Sequence, residues 1–129
     1  METKFIERFD NKRHEIKEYL ASLLDICKND IDYDDIVRIV IDAIHEGHGD
    51  PNPEAIHAID DGDYQGTLLF VIPEDSYNPY DYWYVKVMYW SCSACDTLQG
   101  VLDSDNRNQQ LDWLFTLALH IFQGLDKMN

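Results

Sequence analysis

The sequence predicts an α+β fold in the order ααβββαα, with helices packed on a three-stranded antiparallel sheet. Three observations carry that expectation. Apolar residues recur at three- and four-residue steps toward both ends, the middle is β-branched and aromatic between turn signals, and 45% of the 129 residues are apolar. A chain of this length buries about two-thirds of its unfolded surface, which fits one domain over 1–129.

Residues 2–27 read as a single helix. Phe5, Phe9, Ile16, Leu20, Leu23, Leu24 and Cys27 form its apolar stripe, with charges between them. Cys27 ends the stripe as a small core residue. "KNDIDYDD" breaks the chain, and Asp32 or Asp34 caps a second helix over 34–46. "IVRIVI" is rich in β-branched residues, so a strand is the rival reading there. The spacing of Ile36, Val37, Val40, Ile41 and Ile44 and the aspartates in front favour the helix, which "EGHGDPNP" then stops.

The next stretch changes period. "EAIHAIDDGDYQGTLLFVIPE" holds two apolar segments around the turn signal "DDGD", and "DYWYVKVMYWS" is aromatic and β-branched. Strands are expected at 55–60, 64–72 and 82–90 as a meander, with "DSYNPY" as the second link. Alternation puts Tyr82, Tyr84, Lys86, Met88 and Trp90 on one side of the last strand and Trp83, Val85, Val87 and Tyr89 on the other. Two helices close the chain, a short one over 93–102 and a longer one over 107–125.

Charge is the dominant compositional feature. Twenty-five acids face ten bases, a net −15. Residues 1–28 are neutral, with six of each sign, so the remaining 101, with four bases and nineteen acids, hold the whole excess. Such a field repels nucleic acid and anionic membranes and draws in basic partners. No apolar run approaches the roughly 20 residues of a membrane helix. The charged N-terminus lacks the apolar stretch of a secretory signal, and three cysteines do not make a disulfide scaffold. A place in the bacterial cytoplasm is the expectation.

Two clusters invite chemistry. Cys92 and Cys95 form a lone C-x-x-C in "SCSACD", at a strand-to-helix corner. Three readings compete there. The small residues pack the corner tightly; or the thiols, with His45 and His48, bind zinc; or a helix start activates a redox dithiol, opposed by Asp96 beside Cys95. The first reading ranks highest and redox lowest. Asp60, Asp61 and Asp63 in "IDDGDYQG" carry oxygens suited to a hard cation, but the EF-hand spacing is missing and hairpin geometry accounts for Asp-Gly. Phosphate-binding glycine loops and hydrolase or zinc-protease motifs are absent from the sequence, so a non-enzymatic role is expected.

The stretches "DGDYQG" (61–66) and "SCSACDTLQ" (91–99) resemble a group of small bacteriophage and prophage proteins carrying D-x-G-D-Y-Q-G and S-C-S-x-C-D-x-L-Q. The likeness spans about residues 56–102, and Trp90 and Ala94 stand where that group carries glycine. It implies a phage setting and two adjacent motifs. Two functions follow as expectations. The first is a binder that blocks the basic, nucleic-acid-binding face of a bacterial defence or host protein, with Asp30, Asp32, Asp34, Asp35, Asp60, Asp61 and Asp63 standing in for phosphates. The second is a metal- or thiol-dependent site, zinc above all, on Asp61, Asp63, Cys92, Cys95 and Asp96.

Overall fold

A computed structural model describes residues 2–27, 31–61, 67–88 and 106–128. The element order is α1 (Thr3–Asn11), α2 (Arg13–Cys27), α3 (Tyr33–Ile44), β1 (His57–Asp61), β2 (Thr67–Pro73), β3 (Tyr82–Met88), α4 (Arg107–Gln123) and β4 (Asp126–Lys127). This is the α+β class. The sheet is antiparallel throughout, in the order β1-β2-β3-β4. The helix expected over 93–102 lies outside the described residues, as do 64–66 and 89–90 of the expected strands.

Two expectations need correction. The N-terminal helix is two helices, broken at Lys12 (φ −111°, ψ 15°), whose N–H turns back to the Phe9 carbonyl at 3.1 Å. Asp10 and Asn11 precede the break; both are weak helix formers that offer the backbone other partners. Asp10 then takes the Arg13 Nε at 2.9 Å, fixing the corner. The sheet also has four strands, because α4 stops at Gln123 rather than 125 and the chain turns at Gly124 to add β4 along β3. Met128 donates to the Tyr82 carbonyl at 2.7 Å, extending that edge.

The β-branched run is helical, as its spacing requires. Ile36, Val37, Val40, Ile41 and Ile44 are all buried, so tertiary burial outweighs their strand preference. Phe70 and Ile72 of β2 and Trp83, Val85 and Val87 of β3 face the same core cluster as Phe5, Phe9, Leu20 and Leu114 of the helices. On the opposite side of the sheet His57, Ile59, Tyr82 and Lys86 are exposed. Helix α1 links the layers: Phe5 meets Trp83 edge-on at 6.1 Å, and Phe9 stacks on Phe122 at 4.5 Å and 10°. Among the described residues no helix is long and apolar enough to cross a membrane.

Candidate functional site

The acidic turn at the start of α3 is the described part of the expected binding surface. Asp32 is the N-cap in an extended conformation (φ −110°, ψ 165°), and its N–H donates to the Asp35 carboxylate at 3.0 Å in a capping box. Two of the three aspartates are thus also structural. Asp34, between them, is exposed. Desolvation first, then the like charges of Asp32 and Asp35, push its carboxyl above the ordinary carboxylate range. None of the ion pairs among the described residues includes Asp32, Asp34 or Asp35. The turn presents carboxylate acceptors in no described ion pair, which suits an incoming guanidinium or ammonium.

The other expected site residues divide. Asp30, Asp63, Cys92, Cys95 and Asp96 lie outside the described residues. Asp60 and Asp61 close β1, opposite Leu68 and Thr67 of β2, and Thr67 in turn faces Met88 of β3. Asp61, Thr67 and Met88 therefore share one row at one end of the sheet. Both motif segments leave from that row. His45, a candidate zinc ligand with His48, instead places Nε2 2.7 Å from the Asp75 carboxylate. Among the described residues no three His, Cys, Asp or Glu side chains gather as a metal would require.

A polar node that spacing does not reveal ties α1, the loop after α3 and the end of β2. Asp50 is 5% exposed and accepts from Arg8 Nη1 at 2.8 Å and from the Glu46 N–H at 3.1 Å, while Lys4 stands 3.7 Å away. Arg8 also caps the Ile44 carbonyl at 2.9 Å and pairs with Glu46 at 3.1 Å. Burial opposes the Asp50 charge, but the Glu46 N–H and the Arg8 guanidinium outweigh it and hold the carboxyl below its ordinary range. The Asp50 carbonyl accepts from the Asp75 N–H at 2.7 Å, and the Gly49 N–H donates to the Asp75 carbonyl at 2.9 Å. Gly49 sits at φ 93°, where a side chain would be strained.

Five of the ten lysines and arginines are engaged in described ion pairs. Lys4, Arg8, Arg13, Arg107 and Lys127 each pair with a carboxylate, Asp25 being the partner of Arg107 at the junction of α2 and α4. Lys17 and Arg13 also lie over the Phe115 ring. These pairs neutralise charge locally, while Asp32 and Asp34 stand in none of the ion pairs among the described residues. No protein-family model, curated protein or solved structure matches this chain.

Proposed function

We propose that the chain is a protein-binding acidic module, of phage type, that occupies the basic nucleic-acid-binding surface of a bacterial defence or host protein. The observation that carries the reading is the α3 turn: three carboxylates in four residues, none in a described ion pair, with Asp34 crowded by like charge. A cationic partner would relieve that crowding. Mimicry of a polyanion follows, because carboxylates spaced along a turn and a strand offer Lys and Arg the acceptors that phosphates offer. Asp60 and Asp61, and Asp30 and Asp63 by sequence, are the further carboxylates that this reading assigns to partner binding.

The test is a tagged pull-down from bacterial lysate at low and high salt, with identification by mass spectrometry. Enrichment of a nucleic-acid-binding protein, released by salt or by competing DNA, is expected. Charge reversal at Asp32, Asp34 and Asp35 should then abolish capture. Undiminished capture by that variant would refute mimicry by this turn, and no specific capture at either salt would overturn the module itself.

A second reading, a zinc site on Asp61, Asp63, Cys92, Cys95 and Asp96, draws support from the shared row of Asp61, Thr67 and Met88. Neighbouring strands lie about 4.8 Å apart, and the four residues from Met88 to Cys92 reach at most about 14 Å, so the span is short enough. Protein purified without chelator decides it. Zinc below about a tenth of an equivalent, with freely titrating thiols, removes this reading.

A further inference from the structure

The loop from Glu74 to Asp81 displays two tyrosines in an unusual way. Tyr77 is 97% exposed and Tyr80 is 91% exposed, and neither ring has a partner among the described residues. Tyrosine rings left in water normally belong to segments free to collapse onto something. This segment is not free. The Glu74 N–H donates to the Asp81 carbonyl at 2.9 Å, closing the loop at its base. The Glu74 carboxylate then reaches inside it, accepting from the Tyr80 N–H at 2.6 Å and the Ser76 hydroxyl at 3.3 Å.

Both flanks are pinned as well. On one side the Asp75 backbone is bonded to Gly49 and Asp50, and its carboxylate to His45. On the other, Asp81 pairs with Lys127 at 3.2 Å. Pro79 fixes φ between the two tyrosines, further narrowing the backbone's choices. The loop's base and the Tyr80 backbone are therefore held in place, with both rings exposed. Ordering a flexible loop is a major cost of association, and here the fold has already met it. Tyrosine adds large contact area with few rotatable bonds.

We infer that the Glu74–Asp81 loop is a preorganised docking surface for an arginine-bearing segment of a protein partner, Tyr77 and Tyr80 receiving guanidinium planes on their ring faces. The occupant follows from charge and chemistry together. The protein carries −15 overall, and Glu74 and Asp75 belong to the same loop, so an anionic partner is repelled. Both cations stack on aromatic faces, but guanidinium does so more often, and its planar fork pairs with a neighbouring carboxylate at the same time. The inference rests on the acidic-module reading and adds to it a residue preference that bulk charge does not supply. The acidic turn attracts any polycation; the tyrosine loop selects arginine.

The experiment titrates the intact chain against fluorescein-labelled nona-arginine and nona-lysine, followed by anisotropy at physiological and at raised salt. The wild-type chain should bind nona-arginine more tightly than nona-lysine, by at most about fivefold, the limit set by about 0.5 kcal/mol at each of the two rings. Tyr77→Ala with Tyr80→Ala should erase the preference, weakening nona-arginine binding more than nona-lysine binding. Tyr77→Phe with Tyr80→Phe should keep it, since the ring face and not the hydroxyl is used. Asp32→Asn, Asp34→Asn and Asp35→Asn together should weaken both peptides and leave the ratio intact. Equal affinity of the wild type for the two peptides, or a preference that survives the alanine pair, would overturn the inference while leaving the acidic module standing. Failure of both peptides to bind would overturn the two together.

Discussion

Removing the buried Asp50 carboxylate should cost substantial stability, and the size follows from its contacts. Asp50→Ala deletes two charge-assisted hydrogen bonds, from Arg8 at 2.8 Å and from the Glu46 N–H at 3.1 Å. Each is worth about 1.5 kcal/mol when one partner is charged and little water intrudes. The Lys4 contact, at 3.7 Å from a half-exposed ammonium, adds nothing to the sum. The expected loss is thus about 3 kcal/mol. An unfolding entropy of about 2.1 cal/mol/K per residue over 129 residues gives a fall in Tm of roughly 11 °C.

Thermal melting by circular dichroism at pH 7 reads that fall directly. A second arm varies pH. Asp50 has a folded pKa below its unfolded value, so its contribution is complete above about pH 4 and is lost as pH falls through the folded value. The gap between wild type and variant should therefore narrow in strong acid. A fall in Tm smaller than about 3 °C at pH 7, or a gap that stays constant into acid, would refute the assignment of Asp50 as the charged centre of the node.

Three further outcomes are expected. Asp34→Asn should melt at or slightly above wild type at pH 7, by no more than about 0.5 kcal/mol. Its folded pKa is raised, so the charge opposes folding at neutral pH and the difference should fade as pH falls through that value; a marked loss of stability would contradict this. Asp35→Ala should cost about 1 kcal/mol in urea titration and speed hydrogen exchange at the Asp32 amide, which loses its acceptor. Phe9→Ala should cost about 3–5 kcal/mol because the ring is buried and stacked on Phe122, whereas Tyr77→Ala should be within about 0.5 kcal/mol of neutral.

Period and punctuation made the elements legible. The α3 stripe outweighed its β-branched composition because five residues fell on one face, and the aspartates marked the cap. Trp83, Val85 and Val87 alternate with Tyr82, Tyr84 and Lys86, and the structure buries the first set as strand geometry demands. Two residues of β4 carry no periodicity to detect, and the Lys12 break hides inside a stripe that continues across it. The Asp10-Asn11 pair was the available signal. At the site, the carboxylates of the α3 turn were visible because they are adjacent in sequence. Arg8 and Asp50 were not, because 42 residues separate them and only the fold brings them together. "DSYNPY" read simply as a link, since nothing local tells a tyrosine held outward from one folded inward.

The span of the Arg8 contacts, 36 residues to Ile44 and 42 to Asp50, also dictates when the node forms. Closing such loops before helices and hairpins exist is entropically unfavourable, so the node belongs on the native side of the folding barrier. Interactions absent from the transition state act on the rate of unfolding and hardly touch the rate of folding. The ion pair at Asp50 is then a latch on the finished structure. Its loss should accelerate unfolding on the order of 100-fold while refolding proceeds at its usual pace, so the time the native protein survives a challenge depends on a contact that does nothing to guide it there.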